Sequence, residues 1–377
     1  MITCIEDLKN AYQSNVPRMF YDYTESGSWS EYTFKENERA LQRLRFKQRV
    51  LIDLSQRDTS GLLLGQKVTM PVALAPVGLT GYQHPDGEIK AAKAAAEFGV
   101  PYTLSTMSIC SIEDVARAVQ APFWFQLYVM RDREFIKQLI LRAKAAACSA
   151  LVLTVDLQIL GQRHKDIKNG LSTPPKPTFR NLINMVSKPK WAAGMLATSR
   201  RKFGNIAGHV AGIENSGSLS HWTQQQFDPT LNWDDVAWIK EIWGGPLIIK
   251  GIMTQEDAIL AEAHGADAIV VSNHGGRQLD GAPASCEVLP VIKSAISDET
   301  EVWVDGGIRS GQDVLRMLAL GATGTMIGRA YIYGLGAMGQ EGVRQALKII
   351  ENELDLTMAF CGKTSLANVG PDILWST

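Results

Sequence analysis

The sequence predicts an α/β fold: a single TIM (β/α)8 barrel with an N-terminal helical extension and a long insertion after the fourth strand. Two observations carry this expectation. From Met70 onward, short apolar runs alternate with helical stretches until eight such pairs have passed, and eight βα units with parallel crossovers close into a barrel. Polar and charged residues also collect where the apolar runs end: Gln126, Tyr128, Thr154, Asp156, Lys250, His274, Arg277, Asp305, Arg309 and Arg329. In a barrel of this kind those ends share one mouth, so residues far apart in sequence converge there.

Residues 1–70 are polar and helical in pattern, with helices expected over 7–14 and 30–44. Phe20-Tyr21-Asp22-Tyr23 and Ser26-Gly27-Ser28 lie between them. The predicted strands are then 72–75, 102–104, 123–127, 151–155, 247–249, 268–271, 302–304 and 325–327, each apolar and four to five residues long or shorter. Helices are expected over 88–98, 112–119, 133–147, 255–264, 287–295 and 311–320, with further helices closing the chain. The rhythm stops over 157–230, which reads as an insertion, and all of 1–377 reads as one domain.

At 377 residues, with 45% hydrophobic and 20% charged residues and a formal net charge of -1, the composition is that of a globular protein with a large core. Such a balance gives no reason to expect nucleic acid. The five cysteines are scattered and form no C-x-x-C pair, which argues against a disulfide framework or a zinc site and fits a reducing compartment. The first residues carry acids and no long apolar run, so neither a signal peptide nor a membrane span is expected.

Ser272-Asn273-His274-Gly275-Gly276-Arg277-Gln278 carries the chemistry. Histidine is the side chain suited to accept a proton near neutral pH. The arginine three residues on offers a planar fork that fits a carboxylate, and the glycines allow a sharp turn. The last two strands end in Asp305-Gly306-Gly307-Ile308-Arg309 and Gly328-Arg329. Glycines there expose backbone N–H groups and the arginines neutralise an anion, as in barrels that hold a phosphate after strands seven and eight. Lys250 fits a Schiff base, an anion grip or a paired structural charge, with anion stabilisation preferred. Gly334-Leu335-Gly336-Ala337-Met338-Gly339 matches a dinucleotide-binding pattern but lacks its βαβ context, so no Rossmann site is expected.

These motifs resemble the FMN-dependent L-2-hydroxy acid oxidase and dehydrogenase family, whose signature Ser272–Gln278 is similar to. Asp305–Arg309, Trp124-Phe125-Gln126-Leu127-Tyr128 and Leu104-Ser105-Thr106 resemble that family in the same order. The resemblance implies FMN as cofactor and His274 as the proton acceptor, paired with Asp156. It implies Arg277, Arg163 and Tyr23 on the substrate carboxylate, Tyr128 near the substrate hydroxyl, and Lys250 at the flavin pyrimidine edge. Pro76, Val77, Gly78, Ser105, Gln126, Thr154 and Ser272 would surround the isoalloxazine. Gly306, Gly307, Arg309, Gly328 and Arg329 would hold the phosphate, and Asp305 the ribityl chain. Gly78 stands where the family's oxidases usually have alanine and its quinone-linked dehydrogenases often glycine. Met107 replaces the tryptophan of glycolate oxidases. The reading is therefore oxidation of L-lactate to pyruvate with a quinone-type acceptor. A peroxide-forming oxidase or an L-mandelate dehydrogenase is the alternative, and a homotetramer is the implied assembly.

Between Ile167 and Ile213 there is no acidic residue, while Lys168, Lys176, Arg180, Lys188, Lys190, Arg200, Arg201 and Lys202 all fall there. Phe179, Leu182, Ile183, Met185, Val186, Trp191, Met195 and Leu196 are interleaved. A basic, partly amphipathic segment suits an anionic membrane surface, and a lid over the mouth is the other use of a long barrel loop. Pro174, Pro175, Pro177 and Pro189 interrupt any long helix, so 178–213 is expected to lie on the cytoplasmic face of the inner membrane, the alternative being a soluble cytoplasmic protein.

Overall fold

The structure, a computed structural model, describes residues 1–171, 178–207 and 227–375. Eight parallel strands form the barrel: β1 (Val72–Leu74), β2 (Thr103–Ser105), β3 (Trp124–Leu127), β4 (Ala150–Thr154), β5 (Leu247–Ile252), β6 (Ala268–Val271), β7 (Glu301–Val304) and β8 (Gly324–Ile327). Each pairs with its sequence neighbours, and β8 returns to β1 through Thr325–Val72, Met326–Ala73 and Ile327–Leu74. A bridge between Leu74 and Tyr102 closes the ring. The predicted strands and helices are present, with ends displaced by at most three residues.

The twofold alternation of strands sorts the side chains. Phe125, Leu127, Leu151, Leu153, Ile249, Ile269, Val302 and Val304 face the helices in the outer core. Ala73, Trp124, Ala150, Val152, Ile248, Val270, Trp303 and Met326 fill the barrel interior, where Trp124 and Trp303 stack with ring centroids 5.0 Å apart. Two residues further along the same inward face come Gln126, Thr154, Lys250, Ser272 and Asp305. The polar mouth is thus the next layer of the barrel, directly above an apolar plug.

Several elements were not foreseen. A hairpin, Gly61–Leu63 with Gln66–Val68, seals the opposite end of the barrel by adding Leu63 and Val68 to the interior cluster. The short helix Arg18–Thr24 carries Tyr23. The insertion over 157–230 contains helices His164–Lys168, Phe179–Val186 and Pro189–Ala197, which the sequence did not place. Pro189 opens the last of these at its first turn, where its missing N–H costs nothing. Lys176, Pro174, Pro175, Pro177 and the part of 178–213 beyond 207 lie outside the described residues.

The glycine pattern in 334–339 is a helix-packing device. Gly334 lies in helix Arg329–Met338, and a Cβ there would come within 2.1 Å of the Gly342 carbonyl oxygen on helix Gln340–Phe360. A Cβ on Gly336 would meet the buried Tyr12 ring at 2.0 Å.

Candidate active site

A cavity of about 500 Å³ opens at the C-terminal ends of the strands. All the site residues expected from sequence line it except Asp156, Gln126 and Ser272, which stand just behind its wall. Sequence reasoning missed the apolar side of the cavity: Leu157, Leu160, Leu171, Phe203 and Phe227 come from the insertion and join Met107. Phe227 meets the Tyr128 ring edge-on at 5.9 Å. Nothing in the local pattern of these residues marks them, because their partners come from distant loops.

His274 follows β6 in the left-handed conformation, φ 59°, and Gly275 and Gly276 continue it at 64° and 72°. Histidine tolerates that region only where its surroundings hold it. Its backbone N–H donates to the Ser272 hydroxyl at 3.1 Å. Gly276 lies so close to the Phe34 backbone that a Cβ would approach the Phe34 nitrogen at 2.3 Å. The turn directs the imidazole to Asp156, with Nδ1 2.8 Å from Oδ1. A carboxylate on Nδ1 fixes the proton there and leaves Nε2 as acceptor. Burial pushes the Asp156 carboxyl upward, but attraction to the imidazolium that His274 forms on accepting a proton, the hydrogen bond of His274 and the charge of Lys250 outweigh it and hold the group below its ordinary range.

Lys250 is buried and bonds the Ser272 hydroxyl at 2.8 Å and Asp305 Oδ2 at 2.9 Å. Burial alone would lower the ammonium's pKa; Asp305 and Asp156 override it and keep the group charged. A Schiff base requires a neutral amine, so this environment favours the anion-stabilising role. Burial, reinforced by Asp156, raises the Tyr128 phenol, which therefore stays a donor.

Two more cations meet at the cavity's other side. Arg277 Nη1 donates to the Tyr23 carbonyl at 2.6 Å and to the carbonyl and hydroxyl of Ser26, each at 3.1 Å. The guanidinium lies 4.7 Å from the centre of the Tyr23 ring. Arg163 Nε is held by Asp166 at 2.6 Å. At the far end, Arg329 donates to the carbonyls of Thr24, Gly275 and Ser26, so two of its five N–H groups anchor the N-terminal segment and a third holds the loop that carries His274. Burial and the neighbouring Arg309 push its guanidinium down to about 10. Arg309 pairs with Glu38 at 2.9 Å. Asn37, which the sequence did not single out, exchanges two amide hydrogen bonds with Asn273 beneath this loop.

A flavin fits these residues. Gln126 Nε2, Thr154 Oγ1 and Asp305 Oδ1 are buried without a hydrogen-bond partner among the described residues, and such groups carry a desolvation cost that a ligand's complementary edge relieves. Gly306 and Gly307, at φ 103° and 80°, sit against Asn37, where a Cβ on Gly307 would come within 2.5 Å of its carbonyl oxygen.

A proton acceptor beside two cations, above a polar cradle with unanswered donors and acceptors, equips a barrel for cofactor-dependent oxidation of a small acid. Comparison with known proteins narrows that class. The chain belongs to the FMN-dependent dehydrogenase family, whose sequence profile matches residues 12–376. It is 43% identical over 376 residues to an L-lactate dehydrogenase of Ectopseudomonas mendocina (strain ymp), covering 99% of both chains. An L-lactate dehydrogenase of Caulobacter sp. (strain K31) is 45% identical over 381 residues, covering 100% of this chain and 99% of the relative. Among solved structures, the monotopic membrane protein (S)-mandelate dehydrogenase superposes with a TM-score of 0.94 at 34% identity, covering 100% of both chains.

Proposed function

We propose that the protein oxidises L-lactate to pyruvate and passes the electrons to a quinone-type acceptor at a membrane surface. The observation that carries the reading is the convergence of the His274–Asp156 pair with Arg163 and Arg277 on one cavity. Full-length similarity to proteins named L-lactate dehydrogenase supports the substrate.

FMN, when bound, supplies the two-electron acceptor. Gln126, Thr154, Lys250 and Ser105 would hold its ring, and Asp305, Gly306, Gly307, Arg309, Gly328 and Arg329 its ribityl phosphate. Arg163, Arg277 and the Tyr23 hydroxyl bind the substrate carboxylate, a geometry that fixes which face and which hydroxyl meet His274. His274 takes a proton at Nε2, and Asp156 stabilises the imidazolium that results. The Tyr128 phenol donates to the substrate oxygen. Lys250, kept charged by its carboxylates, would hold a positive charge against the ring.

The exposed side of helix Phe179–Val186 supports the membrane site. Phe179, Leu182, Ile183 and Val186 are 78%, 57%, 56% and 69% exposed and follow helical spacing, so they share one face. Such a face beside lysines and arginines suits the interface of an anionic bilayer. No helix among the described residues is long and apolar enough to cross a membrane. The same segment also acts on the cavity, because Phe203 lines it and Asn205 bonds the carbonyls of Ser105 and Thr106. A homotetramer is the proposed assembly, following the family resemblance.

L-Mandelate is the second reading, supported by the likeness to (S)-mandelate dehydrogenase and by the apolar wall of Met107, Leu157, Leu160 and Phe227. Steady-state reduction of a quinone analogue with each acid separates the two. A higher kcat/KM for L-lactate supports the proposal, and a higher value for L-mandelate replaces it with the second reading.

A further inference from the structure

We infer that Asp166 is a positioning residue that sets the two-arginine clamp for the substrate carboxylate, a role that rests on the 2-hydroxy acid reading above. The two guanidinium groups share the same side of the cavity and repel each other. Each is pinned by one edge. Arg163 is held through Nε alone, by Asp166 Oδ2 at 2.6 Å, and its two terminal nitrogens have no protein partner among the described residues. Arg277 is held through Nη1, on the carbonyls of Tyr23 and Ser26 and the Ser26 hydroxyl, and its Nε and Nη2 are likewise without a partner there. Both side chains line the cavity. Their free edges supply the donors that a carboxylate accepts in pairs.

Asp166 joins the two pins. Its second oxygen, Oδ1, lies 3.3 Å from the Ser26 hydroxyl that also receives Arg277. One buried carboxylate therefore contacts Arg163 directly and Arg277 through Ser26, and its charge opposes the repulsion between them. Its own position is fixed. It is 6% exposed, in helix His164–Lys168. The adjacent Lys165 ties that helix to the Glu25 carbonyl at 2.6 Å and to Glu31 at 2.9 Å. Burial and the charge of Arg163 depress the Arg277 pKa, whereas the charge of Asp166 helps to raise that of Arg163 against its own burial. Removing the carboxylate leaves Arg163 without its only side-chain anchor among the described residues. A guanidinium that must be ordered by the substrate itself binds that substrate less well.

The test uses the FMN-loaded protein and compares wild type with Asp166→Ala, Asp166→Asn and Asp166→Glu. Steady-state turnover of L-lactate with an artificial electron acceptor gives KM and kcat. Oxalate, titrated against the flavin visible band, reads carboxylate binding without turnover. Asp166→Ala is expected to raise KM and the oxalate Kd roughly 10- to 50-fold, with kcat within about 3-fold and flavin content unchanged. Asp166→Asn, which keeps the shape and loses the charge, is expected to raise both constants by a smaller factor and decides the assignment if the alanine variant does not fold, and Asp166→Glu is expected to recover most of the loss. Unchanged or tighter oxalate binding in Asp166→Ala or Asp166→Asn overturns the assignment, as does a loss of kcat and flavin content at constant KM. A wild-type protein that ignores L-lactate but binds oxalate overturns the lactate reading alone, and the oxalate series still decides Asp166. A wild-type protein that binds neither overturns both.

Discussion

His274 is placed by backbone and hydrogen bonds more than by packing, so its role can be removed without dismantling the site. His274→Ala is expected to keep FMN and to lose substrate-driven reduction by roughly 10²- to 10⁴-fold or more, the usual worth of a positioned base. Stopped-flow bleaching of the flavin band measures this, and a variant reduced at the wild-type rate removes His274 from the chemistry. Gly78 is a second sensitive position. A Cβ there would stand 3.2 Å from the Tyr23 hydroxyl and 3.3 Å from the Met107 Cβ, tighter than ordinary packing. Gly78→Ala is expected to displace the Tyr23 hydroxyl and raise KM for L-lactate several-fold, with little change in Tm. An unchanged KM would show that Tyr23 does not bind the carboxylate. At this scale the strand-end residues were legible in sequence because twofold alternation continues past each apolar run: Val152, Thr154 and Asp156 are successive steps in register. Asp166, Asn37 and Phe227 were not, since a carboxylate three residues after an arginine, or one aromatic in a loop, gains meaning only from the Tyr23–Ser28 turn and Tyr128 packed against it.

Helices give two separable tests. The apolar face of Phe179–Val186 makes few contacts with the barrel, so Phe179→Glu with Ile183→Glu is expected to abolish sedimentation with anionic vesicles and leave L-lactate reduction within about twofold. Full vesicle binding by that variant ends the membrane proposal. Deleting 178–213 is a poorer test, because Asn205 carries hydrogen bonds to the carbonyls of Ser105 and Thr106 and to Ser108, and accepts one from the Ile112 N–H. The closing helices behave differently. Gly336→Val is expected to lower Tm, through about 1–3 kcal/mol of overpacking against Tyr12. Calorimetry at unchanged flavin content reads it, and a wild-type Tm would mean that helix Arg329–Met338 moves freely. The sequence marked this glycine cluster and excluded a nucleotide site by context, yet the close helix crossing that requires it depends on residues further along the chain.

Across the whole molecule, charge pairs outside the cavity add to the response to acid. The hydrogen bond from Arg142, which outweighs burial, lowers the Glu113 carboxyl from 4.5 to about 2. A carboxyl lowered by folding stabilises the protein above its unfolded value and loses that contribution as pH falls from 4.5 through about 2. Glu113→Gln is therefore expected to lie below wild type in Tm above pH 4.5, with the gap closing toward pH 2. A gap that stays constant assigns the loss to packing. The barrel itself joins these levels: its interior excludes water with Trp124 and Trp303, and its next layer presents the groups that a flavin and a hydroxy acid would answer. The most direct measurement of that account is an anaerobic titration of the purified, FMN-loaded protein with L-lactate, following the oxidised-flavin band. Stoichiometric bleaching, with re-oxidation faster on a quinone analogue than on air, is the predicted result. A flavin band that stays oxidised in excess L-lactate would contradict it.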